Sequence, residues 1–142
     1  MKIEDIIRSK GGVVVTIPPD ATVQDLVSLL GAKNIGAVIV SRDGAHIDGI
    51  VSERDVVRQL AARGTAVLAE AVSEIMTKQV HTCVAEDSLE ETAHTMTYQR
   101  IRHLPVVEAG ELRAVISIGD VVKHRIDQLT DERNHLLGYL HA

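Results

Sequence analysis

Apolar residues fall into two kinds of pattern along this chain. A β-branched run at 13–17 ends in a Pro-Pro-Asp turn, and apolar runs at 36–40 and 47–51 flank an Arg-Asp-Gly turn. These runs predict one strand and one β-hairpin. A helix is predicted between them, since apolar residues recur at helical spacing at Val23, Leu26, Val27 and Leu30. A second helix is predicted from Ser52 towards Gly64, which completes a β-α-β-β-α order.

The second half repeats this plan at a separation of about 65 residues. The strand-to-helix junction reads Gly49-Ile50-Val51-Ser52-Glu53-Arg54-Asp55 in the first copy and Ala114-Val115-Ile116-Ser117-Ile118-Gly119-Asp120 in the second. The run 36–40 aligns with 103–107. A repeat of this length that occurs twice predicts a pseudo-symmetric pair and not an open solenoid.

The first helix of each copy carries a start signal. Thr22 is followed three positions later by Asp25, and Ser88 by Glu91. A hydroxyl that accepts a backbone N–H, with an acid in the first turn, stabilises a helix N-terminus. We therefore place both helix starts at these residues.

The repeat divides the chain into five segments. They are an N-terminal helix and lead-in (1–12), the first module (13–64), a helical connection (65–76), the second module (77–125) and a C-terminal helical extension (126–142). The extension carries Leu129, Leu136, Leu137 and Leu140 among charged residues. An amphipathic helix that outlasts its module needs a surface to cover it, so we expect it to pack on a partner subunit or on the other copy.

Composition excludes several classes of function. The net charge of −5 argues against nucleic-acid binding, and a chain with two Tyr and no Phe or Trp offers few platforms for base stacking. Seven His and the single Cys83 show no metal-ligand spacing, and no nucleophile–base arrangement is present, so we expect neither a metal nor catalysis. The N-terminus shows no signal peptide or membrane span, which predicts a cytoplasmic protein without disulfides.

The duplicated junction consists of a small residue, then apolar residues, then Ser-x-x-Asp. With this motif the chain resembles tandem CBS domains over roughly Val13 to Lys123. The resemblance implies an α/β (α+β) fold of two pseudo-symmetric β-α-β-β-α modules packed sheet to sheet, with a long C-terminal helix. It also implies two clefts between the copies and further association into a homodimer. The implied ligand is AMP, ADP or ATP, with NAD(H) and then S-adenosylmethionine as alternatives.

The junction residues suit such a ligand on chemical grounds. A Ser at a helix N-terminus lies beside unpaired N–H groups that favour anions, and an Asp three residues later can accept ribose hydroxyls. Ser52 with Asp55, and Ser117 with Asp120, fit this description. Each pair taken singly also fits a plain N-cap with a dipole-complementing acid, whereas duplication in register favours ligand contact for at least one copy.

The resemblance implies two unequal clefts. One would combine the following residues: Arg102 and His103 at the phosphate, Ser117, Gly119 and Asp120 at the helix start, and Lys10, Gly12, Ile35 and Ala37 around the base. The other would use Ser52, Arg54, Asp55 and Thr77. The copy-one counterparts of Arg102 and His103 are expected at Ile35 and Gly36, which are uncharged. We therefore predict firmer nucleotide binding in the cleft that contains Arg102. Two alternatives stay open: Arg102 is equally explained as a cation on the protein surface, and Lys10 to Gly12 as a flexible lead-in to the first strand.

The leading hypothesis is a regulatory module that senses energy or redox state through an adenosine nucleotide and acts on a separate partner. The alternative is a structural dimerisation module with vestigial clefts. An enzyme ranks last, because no base or nucleophile can be identified.

Overall fold

The computed structural model describes residues 1–11 and 14–141. Its helices and strands, in chain order, are α1 Ile3–Lys10, β1 Thr16–Ile17, α2 Val23–Lys33, β2 Ala37–Val40, β3 Gly49–Ser52, α3 Glu53–Arg63, α4 Leu89–Tyr98, β4 His103–Glu108, β5 Glu111–Ser117 and α5 Ile118–His141. Two short 3-10 helices, Gly64–Ala69 and Val72–Glu74, lie between α3 and α4. The predicted element order and the long C-terminal helix are confirmed, except that the predicted first strand of the second copy is reduced to a single bridge at Cys83.

Both halves use the same strand arrangement. β1 is parallel to β2, and β2 is antiparallel to β3 with Ala37 opposite Ser52. In the second half β4 and β5 form a hairpin, and Cys83 makes a parallel bridge to Val106 that corresponds to the pairing of β1 with β2. Each hairpin leads directly into a helix. The last residue of its second strand, Ser52 or Ser117, is therefore also the N-cap of that helix.

The chain divides into two units. The first-copy unit contains β1, α2, β2, β3, α3 and the 3-10 helices, and the second-copy unit contains α1, α4, β4, most of β5 and α5. The short segment 109–113 belongs to the first-copy unit. The N-terminal helix α1 is thus part of the unit formed by the second half of the chain.

Each unit has its own aliphatic core. The core of the first-copy unit consists of Ile17, Val23, Leu26, Leu30, Val38, Val40, Val51, Val56, Val67, Val72 and Ile75. The core of the second-copy unit consists of Ile3, Ile6, Ile7, Cys83, Ala85, Leu89, Met96, Leu104, Val106, Ala114, Ile116 and Val121. Val27 was predicted on the buried face of α2 and is exposed, because the face turned to the core is centred on Leu26 and Leu30.

The predicted helix starts are confirmed in detail. The N–H of Asp25 donates to Thr22 Oγ1 over 3.1 Å, and the N–H of Thr22 donates back to Asp25 Oδ2 over 3.1 Å. In the second half the N–H of Glu91 donates to Ser88 Oγ over 3.2 Å. These bonds satisfy N–H groups that a helix start otherwise leaves unpaired.

Two strand boundaries differ from the prediction. β1 begins at Thr16, and Val13, the predicted first strand residue, lies outside the described residues. β3 begins at Gly49 and not at residue 47, because Asp43 Oδ1 accepts the N–H groups of Ala45 and His46 and so closes a turn. The backbone N–H of His46, its imidazole and the backbone N–H of Ala45 all form hydrogen bonds with the Asp43 carboxyl. Together these bonds hold the pKa of that carboxyl well below its ordinary value.

The connection between the modules lies tightly against β3. Ile50 and Thr77 exchange two backbone hydrogen bonds, each of 2.9 Å between nitrogen and oxygen. A Cβ on Gly49 would lie 2.8 Å from the Thr77 carbonyl oxygen and 2.7 Å from Met76 Sδ. Glycine at position 49 is therefore what allows this close approach.

The single cysteine is part of a core. Cys83 is 6 % exposed, and burial raises the pKa of its thiol to about 12. A buried thiol with a raised pKa is an inert packing group. None of the helices in the described ranges has the length and apolar character that a membrane span requires.

Candidate functional site

The junction of β5 and α5 forms a compact polar corner. The N–H of Asp120 donates to Ser117 Oγ over 3.1 Å, and the N–H of Ser117 donates to Asp120 Oδ2 over 2.9 Å. The next N–H, that of Ile118, donates to the carbonyl oxygen of Arg102 over 2.7 Å. The start of β4 is therefore fixed beside the N-terminus of α5, where the helix dipole favours negative charge.

A lysine from the N-terminal helix of the same unit reaches this corner. Lys10, the last residue of α1, places Nζ 2.6 Å from Asp120 Oδ2 and 3.0 Å from the carbonyl oxygen of Val115. Burial of Ile6 and Ile7 fixes the helix that carries it. The ion pair is partly exposed, with side-chain exposures of 43 % for Lys10 and 27 % for Asp120.

Asp120 is ionised at neutral pH in this arrangement. Burial acts to raise its pKa, but the hydrogen bonds from Lys10 and Ser117 outweigh burial and leave the pKa below its ordinary value. A partly exposed carboxylate with a low pKa at a helix start can accept hydrogen bonds from a ligand's hydroxyl groups.

The remaining predicted residues of this corner differ in exposure. Arg102 is exposed and forms no ion pair with any residue in the ranges 1–11 and 14–141. His103 is half-buried at the first position of β4. A Cβ at Gly119 would come no closer than 3.6 Å to Ser117 Oγ, so the fold does not demand glycine there. What glycine does provide is an uncovered surface on the first turn of α5.

The corner of the first copy, at the junction of β3 and α3, repeats the capping geometry. Asp55 Oδ2 accepts the N–H of Ser52 over 2.8 Å and its hydroxyl over 3.0 Å, and the N–H of Asp55 lies 3.3 Å from Ser52 Oγ. Arg54 is exposed on the first turn of α3. Thr77 is exposed and is held to Ile50, two residues before Ser52, through its backbone.

Equivalent hydrogen bonds correct the alignment of the two copies by one residue. The N–H of Glu53 donates to Gly36 as that of Ile118 donates to Arg102, and Val40 pairs with Ile17 as Val106 pairs with Cys83. The copy-one counterparts of Arg102 and His103 are therefore Gly36 and Ala37. The assignment to Ile35 and Gly36 was wrong, because the separation of the copies stays at 66 residues from Ile17 to Val40 and changes to 65 only in the hairpin that follows. Both corrected counterparts are uncharged.

The corners carry their positive charge in different places. In the first copy the cation is Arg54, on the helix, at the position that Gly119 occupies in the second. In the second copy the cations are Arg102, before the strand, and Lys10, from α1. The resemblance implied that Lys10 and Asp120 belong to one cleft, with Lys10 at the base. Their direct ion pair was not predicted, since nothing in the local pattern around residue 10 indicates a contact 110 positions away.

Two of the predicted base-contacting residues belong to the first-copy unit, and a third cannot be placed. Ile35 is half-buried against the core of the first-copy unit, and Ala37 is buried in β2 opposite Ser52. Gly12 lies outside the described residues. Within the described part of the chain, no three His, Cys, Asp or Glu side chains converge as a metal site would require.

Comparison with known proteins places the chain in a family. The sequence profile described as the CBS domain matches residues 3–62 and 72–127. The CBS domain-containing protein CBSX3, mitochondrial, of Arabidopsis thaliana is 32 % identical over 97 % of this chain and 71 % of its own length. The CBS-domain protein ATU1752 of Agrobacterium tumefaciens has a solved structure that matches with a TM-score of 0.84 at 41 % identity, over 88 % of this chain and 99 % of that one.

A more distant structure was solved with a ligand. CBSX2 in complex with AMP shares the fold with a TM-score of 0.74 at 23 % identity, over 89 % of this chain and 96 % of its own. At that identity the likeness concerns the fold alone. Two profile matches in register with the two structural copies lead to one conclusion: this chain belongs to the CBS domain family, as a tandem pair of CBS domains.

Proposed function

We propose that this chain binds an adenosine nucleotide at the Ser117–Asp120 corner of its second copy and acts as a regulatory module. The observation that carries the proposal is the ionised Asp120 at the start of α5. Ser117 fixes its carboxylate, and the backbone of Arg102 is hydrogen-bonded to the same helix start. The carboxylate suits ribose hydroxyls, and the guanidinium, which has no ion-pair partner among the described residues, suits a phosphate.

The family supports this choice of ligand. A CBS pair of the same fold was solved with AMP, and AMP combines a ribose diol with a phosphate. NAD(H) and S-adenosylmethionine share the adenosine half and remain the alternatives. The first-copy corner keeps Ser52 and Asp55 but has Gly36 where the second copy has Arg102, so we expect weaker binding there.

Regulation would act on a separate effector protein, as a sensor of energy or redox state. Nucleotide binding changes the free energy of whichever conformation holds it better, and a partner that contacts this conformation reads the change. In the competing function, a structural dimerisation module, the corners are only helix caps. The hydrogen bonds between Ser52 and Asp55 are those of an ordinary helix cap, so they are equally compatible with that alternative.

A thermal-shift series separates the two functions. AMP, ATP, NADH and S-adenosylmethionine, each at millimolar concentration, are added to the full chain, and at least one must raise the Tm, because binding to the native state stabilises it. A saturating ligand at 100 times its Kd adds about 2.7 kcal/mol. Unchanged melting with all four compounds contradicts nucleotide binding and favours the dimerisation module.

A homodimer is part of the proposal, and α5 is its candidate interface. Exposed apolar side chains follow one stripe of the helix: Val122, Ile126, Leu129, Leu136 and Leu140. Their spacings of four, three, seven and four residues approximate the heptad repeat by which two helices pack along a seam, with Arg133 as the one interruption. A second copy of the same helix supplies the matching seam.

Replacing Leu129 by Glu tests this interface. The change should convert dimers to monomers in sedimentation equilibrium, since a charge in an apolar seam costs several kcal/mol unless it is paired. Thr130→Glu is the matched control, because it adds the same charge next to the stripe on the same exposed helix. Equal dissociation by both variants, or by neither, would contradict a seam through Leu129.

A further inference from the structure

Lys10 already occupies the carboxylate that the proposed ligand requires. Asp120 Oδ2 accepts both the ammonium of Lys10 at 2.6 Å and the N–H of Ser117 at 2.9 Å. A ribose whose two hydroxyls engage both oxygens of this carboxylate must compete with the ammonium at Oδ2. Binding therefore involves an exchange of partners, and the free energy of that exchange depends on where the ammonium goes.

The charge of the ligand decides that outcome. A neutral nucleoside displaces the ammonium and returns nothing to it, so the ion pair is lost. A cationic ligand does the same and adds repulsion from Lys10 and Arg102. A ligand with a phosphate supplies a new anion beside the N-terminus of α5, where Arg102 is fixed through the bond of 2.7 Å from the Ile118 N–H to its carbonyl oxygen.

We infer that Lys10 is the residue that determines the charge class of the ligand, by favouring adenosine compounds that carry phosphate over neutral adenosine and cationic S-adenosylmethionine. This inference rests on the proposed function and refines it. Lys10 acts as a competitor in the unliganded site and as a phosphate partner in the liganded one. The flexible lysine stem permits both positions, whereas the backbone of α1 is held by the buried side chains of Ile6 and Ile7.

The first copy serves as a built-in comparison. Asp55 Oδ2 accepts hydrogen bonds from the N–H and the hydroxyl of Ser52 and forms no ion pair with any residue in the ranges 1–11 and 14–141. No cation has to be displaced from that carboxylate. Any ligand bound at the first-copy corner should consequently be selected less by its charge.

Calorimetric titration of three ligands tests the inference. AMP, adenosine and S-adenosylmethionine are titrated into the wild-type chain and into Lys10→Met, Lys10→Arg and Lys33→Met. The wild type should bind AMP most tightly. Lys10→Met should strengthen binding of adenosine and S-adenosylmethionine by about two- to fivefold, the range expected when a partly exposed ion pair no longer has to be broken, while AMP gains nothing. Lys10→Arg should restore the preference for AMP.

The control and the contrary results are distinct. Lys33→Met removes an exposed lysine from the end of α2 and should leave all three affinities unchanged. If the ratio of AMP to adenosine affinity is the same in Lys10→Met as in the wild type, the role of Lys10 is refuted and nucleotide binding stands. If the wild type binds none of the three ligands and ATP and NADH also leave its Tm unchanged, the proposed function itself is wrong and the inference falls with it.

Discussion

Replacing Asp120 by Asn should weaken AMP binding by about 10- to 100-fold, the effect of losing one or two hydrogen bonds to a charged group. The substitution keeps the shape of the side chain and one acceptor oxygen for the Ser117 N–H. It removes the charge and presents an amide N–H to the ribose where a carboxylate oxygen had accepted. The affinity is measured by calorimetry, and the Tm without ligand reports the effect on folding.

Folding should be little affected, because Ser117 Oγ still accepts the N–H of residue 120 and caps α5. Loss of the acidic residue from the first helical turn, and of its partly exposed ion pair with Lys10, lowers stability by about 0.5–2 kcal/mol. A large decrease in Tm without ligand would mean that Asp120 has a structural role in the corner.

Asp55→Asn is the matched variant in the first copy. The same Ser-x-x-Asp geometry is present there, but Gly36 stands where the second copy has Arg102. We expect AMP affinity at the tighter site to stay within about twofold of the wild type, because Asp55 is not among the residues proposed to hold AMP there. Equal losses in Asp55→Asn and Asp120→Asn would contradict the proposed asymmetry of the corners.

Gly49→Ala should destabilise the protein by about 2–3 kcal/mol, which lowers the Tm by roughly 10 °C in a chain of this size. The new Cβ would lie 2.8 Å from the Thr77 carbonyl oxygen, a backbone atom that cannot move without breaking its bond to the Ile50 N–H. Met76 Sδ, at 2.7 Å, can turn away more easily because it belongs to a flexible side chain. Chemical denaturation followed by circular dichroism measures the change.

Gly31→Ala is the control with the opposite expected sign. Gly31 lies in α2, where an added Cβ would have nothing within 4 Å, and alanine is a better helix former by up to about 1 kcal/mol. The equivalent of Gly49 in the second copy is Ala114, which is buried in the core of its unit. A neutral Gly49→Ala would show that the connection is not held against β3 as described.

The elements of the fold were predictable from the sequence because their signals are local. The paired residues Thr22 and Asp25 form the expected caps, and Ser52 and Ser117 start helices as the repeated junction indicated. Val27 was placed wrongly, since helical spacing gives the width of an apolar stripe and not which edge of it faces solvent.

The candidate site was less accessible to sequence reasoning. Its Ser-x-x-Asp corners could be found because they are duplicated, but the alignment of the strands before them was wrong by one residue. The backbone bonds of Glu53 and Ile118, together with the matching strand pairings, establish Gly36 as the counterpart of Arg102. The ion pair of Lys10 with Asp120 is a product of how α1 packs in its unit, and such tertiary contacts leave no periodic trace in a single sequence.

We propose that this CBS pair binds an adenosine nucleotide and does so unequally at its two corners. Calorimetric titration of the wild-type chain with AMP tests it most directly, because one curve reports both affinity and stoichiometry. We predict one tight equivalent per chain, weakened about 10- to 100-fold in Asp120→Asn and kept in Asp55→Asn. Two equal equivalents per chain would contradict the asymmetry, and no heat of binding up to millimolar AMP would contradict nucleotide binding at this site.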